Sequence, residues 1–276
     1  MSALYKIGKS FKSIKWIKNN DNLRSRLRSM AVFFSRIIHS NGVSKNIGGF
    51  GEFMMDCEFT FCNYESWGTG HNNGFNKLVS LARKKKVVFD VGAHIGLCSL
   101  PISRVLAENG SCFAFEPAEV NLKYLSSHLK MNNVENVKVI PHLLGEKPLE
   151  KVDFFIHKES SGMSSVCRSK KKLDLFKEVQ KKQVTIDDFV QEHNCIPELL
   201  KIDVEGAEMS VLLGGEKVLK KYHPQIILSV HPKQIEMMGY TLEDLIKIIH
   251  SFDYEILNID NSKLSGPLEL KEYFLN

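Results

Sequence analysis

The chain has 276 residues, of which 43% are hydrophobic and 25% are charged, so it can build a packed α/β domain and is not expected to be disordered. Its formal charge of +5 is uneven, because residues 1–50 hold ten Lys and Arg and one acid, whereas residues 51–276 hold 27 basic and 31 acidic groups. Six cysteines without a C-x-x-C pair, and apolar runs far short of the roughly 20 residues of a membrane span, argue against a zinc site and a membrane helix and favour a cytoplasmic protein with reduced thiols.

Residues 1–70 are predicted to form a basic helical extension with short strands. Within it, residues 3–18 carry apolar side chains along one helical face and lysines off that face, which is the pattern of a basic amphipathic helix. Such a helix can dock on its own domain or on a partner, or lie on an anionic membrane surface. A second basic helix is expected over residues 22–39. After a break at Gly48-Gly49, residues 52–64 are expected to form a β-hairpin or short strands.

From residue 86 onward, short apolar strands alternate with helical segments. This alternation predicts a mostly parallel sheet with helices on both faces, so residues 71–276 are expected to form one Rossmann-like α/β domain. The expected strands are 86–91, 111–116, 137–141, 152–157, 199–203, 225–231 and 254–259. The expected helices are 96–107, 118–131, 185–191, 207–221 and 241–252, and residues 168–182 are expected to form a surface helix or loop.

Two successive strand ends carry the residues of a predicted cofactor site. The first strand contains Asp90 and is followed by Gly92 and Gly96 at the start of a helix. Glycine lets the backbone turn sharply and approach a ligand closely, and open α/β sheets bind ligands at the carboxyl ends of their strands. The second strand ends in Glu116, where a carboxylate can accept hydrogen bonds from both hydroxyls of a ribose.

The spacing of the glycines distinguishes between classes of nucleotide ligand. The run Gly92-Ala-His-Ile-Gly96 lacks the G-x-G-x-x-G pattern of dinucleotide sites and the G-x-x-x-x-G-K-[ST] pattern of nucleoside triphosphate sites. An acid before the glycines would repel phosphate, but it suits the ammonium and sulfonium groups of S-adenosylmethionine. Asp90, Gly92, Gly96 and Glu116 together therefore predict an S-adenosylmethionine site.

A second polar cluster follows the strand at 199–203. Lys201, Asp203 and Glu205 alternate along the strand end, so their side chains are expected to point the same way. A lysine in a buried strand is unfavourable unless a carboxylate pairs with it. Because a buried lysine is energetically costly, its presence here indicates that Lys201, Asp203 and Glu205 form a functional cluster.

These motifs resemble the FkbM-type methyltransferase family over about residues 86–232. The matching stretches are Phe89–Gly96, Phe115–Pro117, Thr185–Asp187, Leu200–Glu208 and Ile227–His231, and the block K-I-D-x-E-G-A-E is the most distinctive. The resemblance implies a Rossmann-like methyltransferase fold, S-adenosylmethionine as cofactor, and methylation of a hydroxyl on a sugar or natural product. His94 stands where the family usually has Asn, at the methionine end of the cofactor, and Ser229 stands where a Glu is common.

A hydroxyl nucleophile gains from a base that removes its proton. His231 is the first candidate for this base, with a purely structural histidine as the equal alternative. Asp203 is the rival base, or it orients the substrate hydroxyl. Glu205 is expected to pair with Lys201 or to hold a substrate hydroxyl, and His71 could reach the site from the N-terminal extension.

Several other interpretations of the same residues stay open. Asp203, Glu205 and His231 could hold a divalent metal, but the neighbouring lysine argues against it, and no metal is predicted. Residues 159–165 have the composition of a mobile loop that could cover the site. The expected partner is a small-molecule or glycan acceptor. The basic arm leaves RNA methylation as the alternative activity, although nucleic acid is the less favoured partner, and a non-catalytic scaffold is the third hypothesis.

Overall fold

The computed structural model describes residues 21–157 and 176–276. The predicted helix at residues 3–18 and the predicted loop at residues 159–165 lie outside the described residues, as does the side chain of His71. Within the described chain, no helix combines the length and the apolar character that crossing a membrane requires.

The described strands and helices follow the predicted alternation in chain order. The strands are β1 (Val43–Asn46), β2 (Glu52–Met55), β3 (Val87–Val91), β4 (Ser111–Phe115), β5 (Val137–Ile140), β6 (Leu143–Leu144), β7 (Leu149–His157), β8 (Phe176–Val184), β9 (Leu199–Ile202), β10 (Gln225–Val230), β11 (Ile256–Leu257) and β12 (Lys271–Leu275). The helices are α1 (Asp21–Ile38), α2 (Phe75–Ala82), α3 (Ser99–Ser103), α4 (Glu119–Met131), α5 (Ile186–His193), α6 (Glu208–Leu213), α7 (Glu216–Tyr222), α8 (Pro232–Met237) and α9 (Leu242–Ser251), and short 3₁₀ turns occur at Cys57–Phe59 and Gly70–Asn72.

A seven-stranded sheet forms the centre of the domain, with the strand order β5-β4-β3-β9-β10-β12-β11. The strands from β5 to β10 are parallel, and β12 runs antiparallel between β10 and β11. The chain progresses in opposite directions across the sheet on either side of the β3–β9 pair. This is the switch point at which open α/β sheets bind ligands, and the predicted Rossmann-like fold is confirmed.

Each face of the sheet is covered by its own hydrophobic cluster. Val88 and Phe89 are successive residues of β3 that enter different clusters, because successive side chains of a strand point to opposite faces. On one face, Phe189 of α5 contacts Phe89 edge to face. On the other face, Phe53 and Met55 of β2 are buried with Val88, so the β1–β2 hairpin packs onto the same core as the sheet.

Two expectations about helices are corrected by the structure. Residues 168–182 were expected to be a helix or loop, but residues from Phe176 form β8, which pairs antiparallel with β7 in a second sheet of order β6-β8-β7. The charged composition of β8 resembles a surface helix, and the pairing with β7 decides its conformation. The helix expected over 207–221 is two helices, separated at Gly214-Gly215, where a Cβ on Gly214 would lie 1.9 Å from the Gly145 carbonyl oxygen.

Other differences concern turns and the C-terminus. The hairpin pairs β1 with β2, so Gly48-Gly49 form its connecting turn rather than a break before it. The helix expected over 96–107 is limited to α3. The sequence patterns did not reveal α2, α8 and β12.

Candidate active site

A cavity of about 230 Å³ lies at the carboxyl ends of β3, β4 and β9, beside the switch point. Its wall contains Gly92 and His94 from the turn after β3 and Glu116 from the end of β4. Asp203 and Glu205 reach the cavity from the turn after β9, and Lys201 completes this side of the wall. Most of the residues predicted for cofactor and substrate therefore meet in one cavity.

Three predicted site residues do not line this cavity: Asp90, Gly96 and His231. Asp90 is fully buried, and its Oδ2 accepts a 2.6 Å hydrogen bond from the Ser99 hydroxyl. Gly96 packs against α4, because a Cβ there would lie 2.9 Å from Leu125 Cδ1. Asp90 thus lies beneath the cavity wall, and its contact with a charged ligand stays a prediction.

The turn after β3 comes very close to the turn after β9. Gly92 has φ +81°, and a Cβ at this position would lie 1.9 Å from the carbonyl oxygen of Asp203. The Asp203 amide donates a 3.1 Å hydrogen bond to the Val91 carbonyl. His94 also lies in the left-handed region, with φ +52°. Burial and the charge of Lys201 lower the pKa of His94 to about 4, so its imidazole is neutral near pH 7.

Backbone amides hold the carboxylate of Glu116 in place at the end of β4. Its Oε1 accepts a 2.8 Å hydrogen bond from the Ala118 amide, and its Oε2 accepts one of 2.8 Å from the His94 amide. Burial raises the pKa of Glu116, while these bonds and one from Asn121 act in the opposite direction. The two carboxylate oxygens have four lone pairs in total, so the three bonds leave one acceptor position for a ligand hydroxyl.

Lys201 is the buried cation of the site. Its Nζ lies 3.3 Å from Asp90 Oδ1 and 3.7 Å from Asp203 Oδ2, and it donates a 2.7 Å hydrogen bond to the Gly92 carbonyl. Burial lowers the pKa of Lys201, but Asp90 and Asp203 outweigh this effect and raise it. The expected pairing with a carboxylate is confirmed, although the partners are these aspartates and not Glu205.

Glu205 reaches the site by a turn and not by strand alternation. β9 ends at Ile202, and Glu205 has φ +51°, so the expected alternation beyond the strand end is wrong. Such left-handed residues cost about 1–2 kcal/mol and are concentrated at functional sites. Glu205 Oε2 accepts a 3.2 Å hydrogen bond from Gln234 Nε2. Burial raises its pKa, and the charge of His231 acts in the opposite direction.

His231 lies directly behind Asp203 and Glu205. Its Nδ1 is 2.7 Å from Oε1 of the fully buried Glu208, and its Nε2 is 3.7 Å from Asp203 Oδ1 and from Glu205 Oε1. Burial lowers the pKa of His231, but the hydrogen bond and charge of Glu208, followed by the charges of Asp203 and Glu205, outweigh it and raise the pKa to about 9.

Two further acids lie next to the site residues, and the sequence analysis assigned a role to neither. Glu208 stands in the K-I-D-x-E-G-A-E block, so the motif itself could have indicated it. Glu272 of β12 accepts hydrogen bonds from the Ser229 hydroxyl, at 3.3 Å, and from the Gly74 amide. It brings a carboxylate next to Ser229. No local pattern indicated Glu272.

Comparison with known proteins identifies the family of this chain. The model of the methyltransferase FkbM domain matches residues 90–256, more than half of the chain. "Methyltransferase 1" of Beauveria bassiana (strain ARSEF 2860) is 27% identical over 143 residues, which make up 46% of this chain and 57% of that protein. The match thus spans little more than half the length of this curated relative.

Solved structures with related architecture have lower identity. The FkbM methyltransferase of Methylobacillus flagellatus KT is 20% identical, with a TM-score of 0.47, over 70% of this chain and 44% of that chain. SMU.1697c of Streptococcus mutans, described as a methyltransferase of uncertain assignment in complex with SAH, is 9% identical, with a TM-score of 0.43, over 74% of this chain and 93% of that chain.

Proposed function

Because this chain belongs to the FkbM methyltransferase family, we propose that it transfers the methyl group of S-adenosylmethionine to a hydroxyl of a sugar, glycolipid or related small metabolite. The observation that carries this proposal is the cavity at the switch point, where Glu116 lies on one side and Asp203 and Glu205 lie on the other. The cavity therefore offers carboxylates to a cationic cofactor and to a hydroxyl acceptor.

The residues present fit the cofactor. Glu116 is held by two backbone amides and by Asn121, and it retains an acceptor position for a ribose hydroxyl. Gly92 and His94 form the wall of the same cavity at the end of β3, and Asp90 pairs with Lys201 of this wall. When bound, the cofactor supplies an electrophilic methyl group on a sulfonium that is a good leaving group.

The main task of the protein is then to place the acceptor oxygen in line with the methyl group. Asp203 is the group best placed to accept the hydroxyl proton, because its carboxylate lines the cavity and is 38% exposed. His231, the first candidate from the sequence, does not line the cavity. We therefore assign it to the support of Asp203 and Glu205.

RNA methylation remains the alternative prediction. It depends on the basic residues of the N-terminal arm, and the cavity itself favours another acceptor. Asp203 and Glu205 would repel a phosphate backbone, whereas they can accept hydrogen bonds from the hydroxyls of a sugar. Contact of residues 3–18 with a membrane or a partner also stays a prediction, since those residues lie outside the described chain.

Calorimetry with S-adenosylhomocysteine tests cofactor binding. We expect the wild-type protein to bind this ligand and not NADH, and Glu116→Gln to weaken binding at least about tenfold, as expected for the loss of a charged hydrogen-bond acceptor. Glu119→Gln is the matched control, because its side chain is exposed on α4. Uptake of NADH without uptake of S-adenosylhomocysteine would contradict the proposal.

Methyl transfer itself is tested with cofactor labelled at the methyl group and with fractionated extracts. We expect the label to enter a carbohydrate or glycolipid fraction. Label in RNA alone, or no label in any carbohydrate fraction, would contradict the proposed acceptor class while leaving cofactor binding intact.

A further inference from the structure

Asp203, Glu205 and His231 converge on one point beside the cavity. One ligand-type atom from each residue lies within 4.8 Å of the other two, and His231 Nε2 is 3.7 Å from one oxygen of each carboxylate. These distances are too long for hydrogen bonds. Bonds of about 2.0–2.2 Å to one metal ion place neighbouring ligand atoms about 3.0–3.6 Å apart, so a small inward movement of these side chains would complete a metal site.

The histidine is oriented as metal-binding histidines are. Glu208 Oε1 lies 2.7 Å from His231 Nδ1, and the Gly206 amide donates a 3.1 Å hydrogen bond to the same oxygen. A carboxylate on one ring nitrogen fixes the ring and directs the other nitrogen toward a metal. The side chain of His231 is only 9% exposed, and among the described residues its Nε2 has the two carboxylates as its nearest charged neighbours. The Nε2 atom of this buried side chain is thus directed at the convergence point.

Lys201 does not occupy this point. Its Nζ donates to the Gly92 carbonyl, pairs with Asp90, and approaches Asp203 through Oδ2, whereas Asp203 Oδ1 is the oxygen nearer His231. Asp203 Oδ1, Glu205 Oε1 and Glu208 Oε1 therefore surround the His231 ring without Lys201 between them. A divalent cation can displace the proton of Nε2 and take this nitrogen and the two facing carboxylates as ligands.

We propose that Asp203, Glu205 and His231 bind one divalent cation, for which Mn²⁺ is the best-fitting probe. Carboxylate oxygens suit Mg²⁺ and Mn²⁺, and an imidazole suits transition metals, so this mixed set favours Mn²⁺. Three protein ligands leave coordination positions open. Because Asp203 and Glu205 also line the cavity, the open positions face the acceptor.

The catalytic consequence of this site rests on the proposed function. A cation beside the acceptor lowers the pKa of a coordinated hydroxyl and fixes its position. Open positions that face the acceptor would favour a molecule with two neighbouring oxygens, such as a sugar diol. Among hydroxyl compounds, the metal site therefore favours those with two neighbouring hydroxyl groups as acceptors.

Titration of untagged, chelator-treated protein with Mn²⁺, followed by the electron paramagnetic resonance signal of free Mn²⁺, tests the site without cofactor or acceptor. We expect one Mn²⁺ per chain. Asp203→Asn and Glu205→Gln should each weaken binding at least about tenfold, and Glu208→Gln by about 10- to 100-fold through loss of the orienting bond. Glu236→Gln, on the exposed side of α8, is the matched control and should bind as the wild type does.

Thermal unfolding with and without Mn²⁺ gives a second measurement. Mn²⁺ should raise the melting temperature of the wild type, because a ligand that binds only the folded state stabilises it, and the effect should be absent in Asp203→Asn. Only variants whose melting temperature in chelator equals that of the wild type are used to judge Mn²⁺ binding, because these variants are correctly folded. No binding by folded wild type up to about 1 mM Mn²⁺, or unchanged binding in Asp203→Asn and Glu205→Gln, would overturn the metal site. Binding of S-adenosylhomocysteine in the same chelated sample would show that the proposed function survives that failure.

Discussion

The Nζ atom of Lys201 lies 3.3 Å from Oδ1 of Asp90, and both side chains are almost completely buried. This pair joins two neighbouring parallel strands at their register partners, because Asp90 of β3 lies opposite Lys201 of β9. It also connects the cavity wall to the core, since Lys201 lines the cavity and Asp90 lies beneath it. The pair therefore couples the shape of the cavity to the stability of the sheet.

Breaking this pair should destabilise the protein strongly. Removing one partner leaves an uncompensated buried charge, so Lys201→Met is expected to lower the free energy of unfolding by about 3–5 kcal/mol. The double change Asp90→Asn with Lys201→Met should recover part of this loss. Urea unfolding followed by circular dichroism measures both. The control, Glu216→Gln, removes an exposed pair with Lys220 and should cost less than about 1 kcal/mol; equal effects for Lys201→Met and the control would refute the coupling.

Gly92→Ala should disrupt the contact between the turns after β3 and β9. The added methyl group would lie 1.9 Å from the Asp203 carbonyl oxygen at φ +81°, so the two turns must separate and cofactor affinity should fall with stability. Gly239→Ala is a matched control, because Gly239 has φ +88° with nothing within 4 Å. Gly239→Ala should lower the free energy of unfolding only by the cost of a left-handed non-glycine residue, about 1–2 kcal/mol. Comparable melting temperatures for the two variants would contradict the steric explanation.

Glu272 should make stability depend on pH. Burial and the charge of Asp203 raise the pKa of Glu272 from 4.5 to about 7, against the opposing effects of the Gly74 amide, Lys201 and Ser229. Between these two values the folded state binds more protons than the unfolded state, so the contribution of Glu272 to stability falls as pH rises from 4.5 to 7. Glu272→Gln replaces the titrating carboxyl with a neutral amide, so this fall in stability with rising pH should disappear.

The Glu272→Gln variant is expected to be more stable than the wild type at pH 8, by at most about 3 kcal/mol, and similar to it at pH 4.5. Urea unfolding at both pH values measures the difference. Glu192→Gln, on the exposed face of α5, should show no such change with pH. A variant that is less stable than wild type at pH 8 would contradict the cost assigned to the buried carboxylate.

Asp203→Asn should separate turnover from cofactor binding. The amide cannot accept the hydroxyl proton, so the maximal rate of methyl transfer is expected to fall by about 10²- to 10⁴-fold. Affinity for S-adenosylhomocysteine should stay within a few-fold, because Glu116 lies on the other side of the cavity. Labelled-methyl transfer and calorimetry measure the two quantities, with Glu243→Gln as an exposed control. A large loss of affinity with unchanged maximal rate would assign Asp203 to the cofactor instead.

The strand ends of the parallel sheet were predictable because their signals are local. Each buried strand is a short apolar run, and the polar residues that follow it must come together at one edge of the sheet. Gly92 and Glu116 were placed in this way, and the structure brings both to the cavity. The need of buried Lys201 for a carboxylate was also predictable from the cost of a buried charge.

Which side chains pair with each other in the site was not predictable from local sequence patterns. Glu205 was expected to pair with Lys201 or to hold a substrate hydroxyl, and its left-handed turn places it beside His231 and Gln234 instead of Lys201. Asp90 was expected at the ligand, but the register of β3 against β9 engages it with Lys201 beneath the cavity wall. Such choices depend on turn geometry and strand register, which the residue types alone do not specify.

The sequence by itself determined the family, the strand–helix alternation and the positions of the cofactor motifs, because apolar periodicity and motif spacing are properties of neighbouring residues. Only the tertiary structure decided that Glu272 joins the site, since β12 pairs antiparallel with β10 and this pairing links residues far apart in the chain. It alone also decided that Glu208 holds His231 against Asp203 and Glu205. The chemistry of the site depends on these distances between side chains from different strands and helices, and only the packed fold sets them.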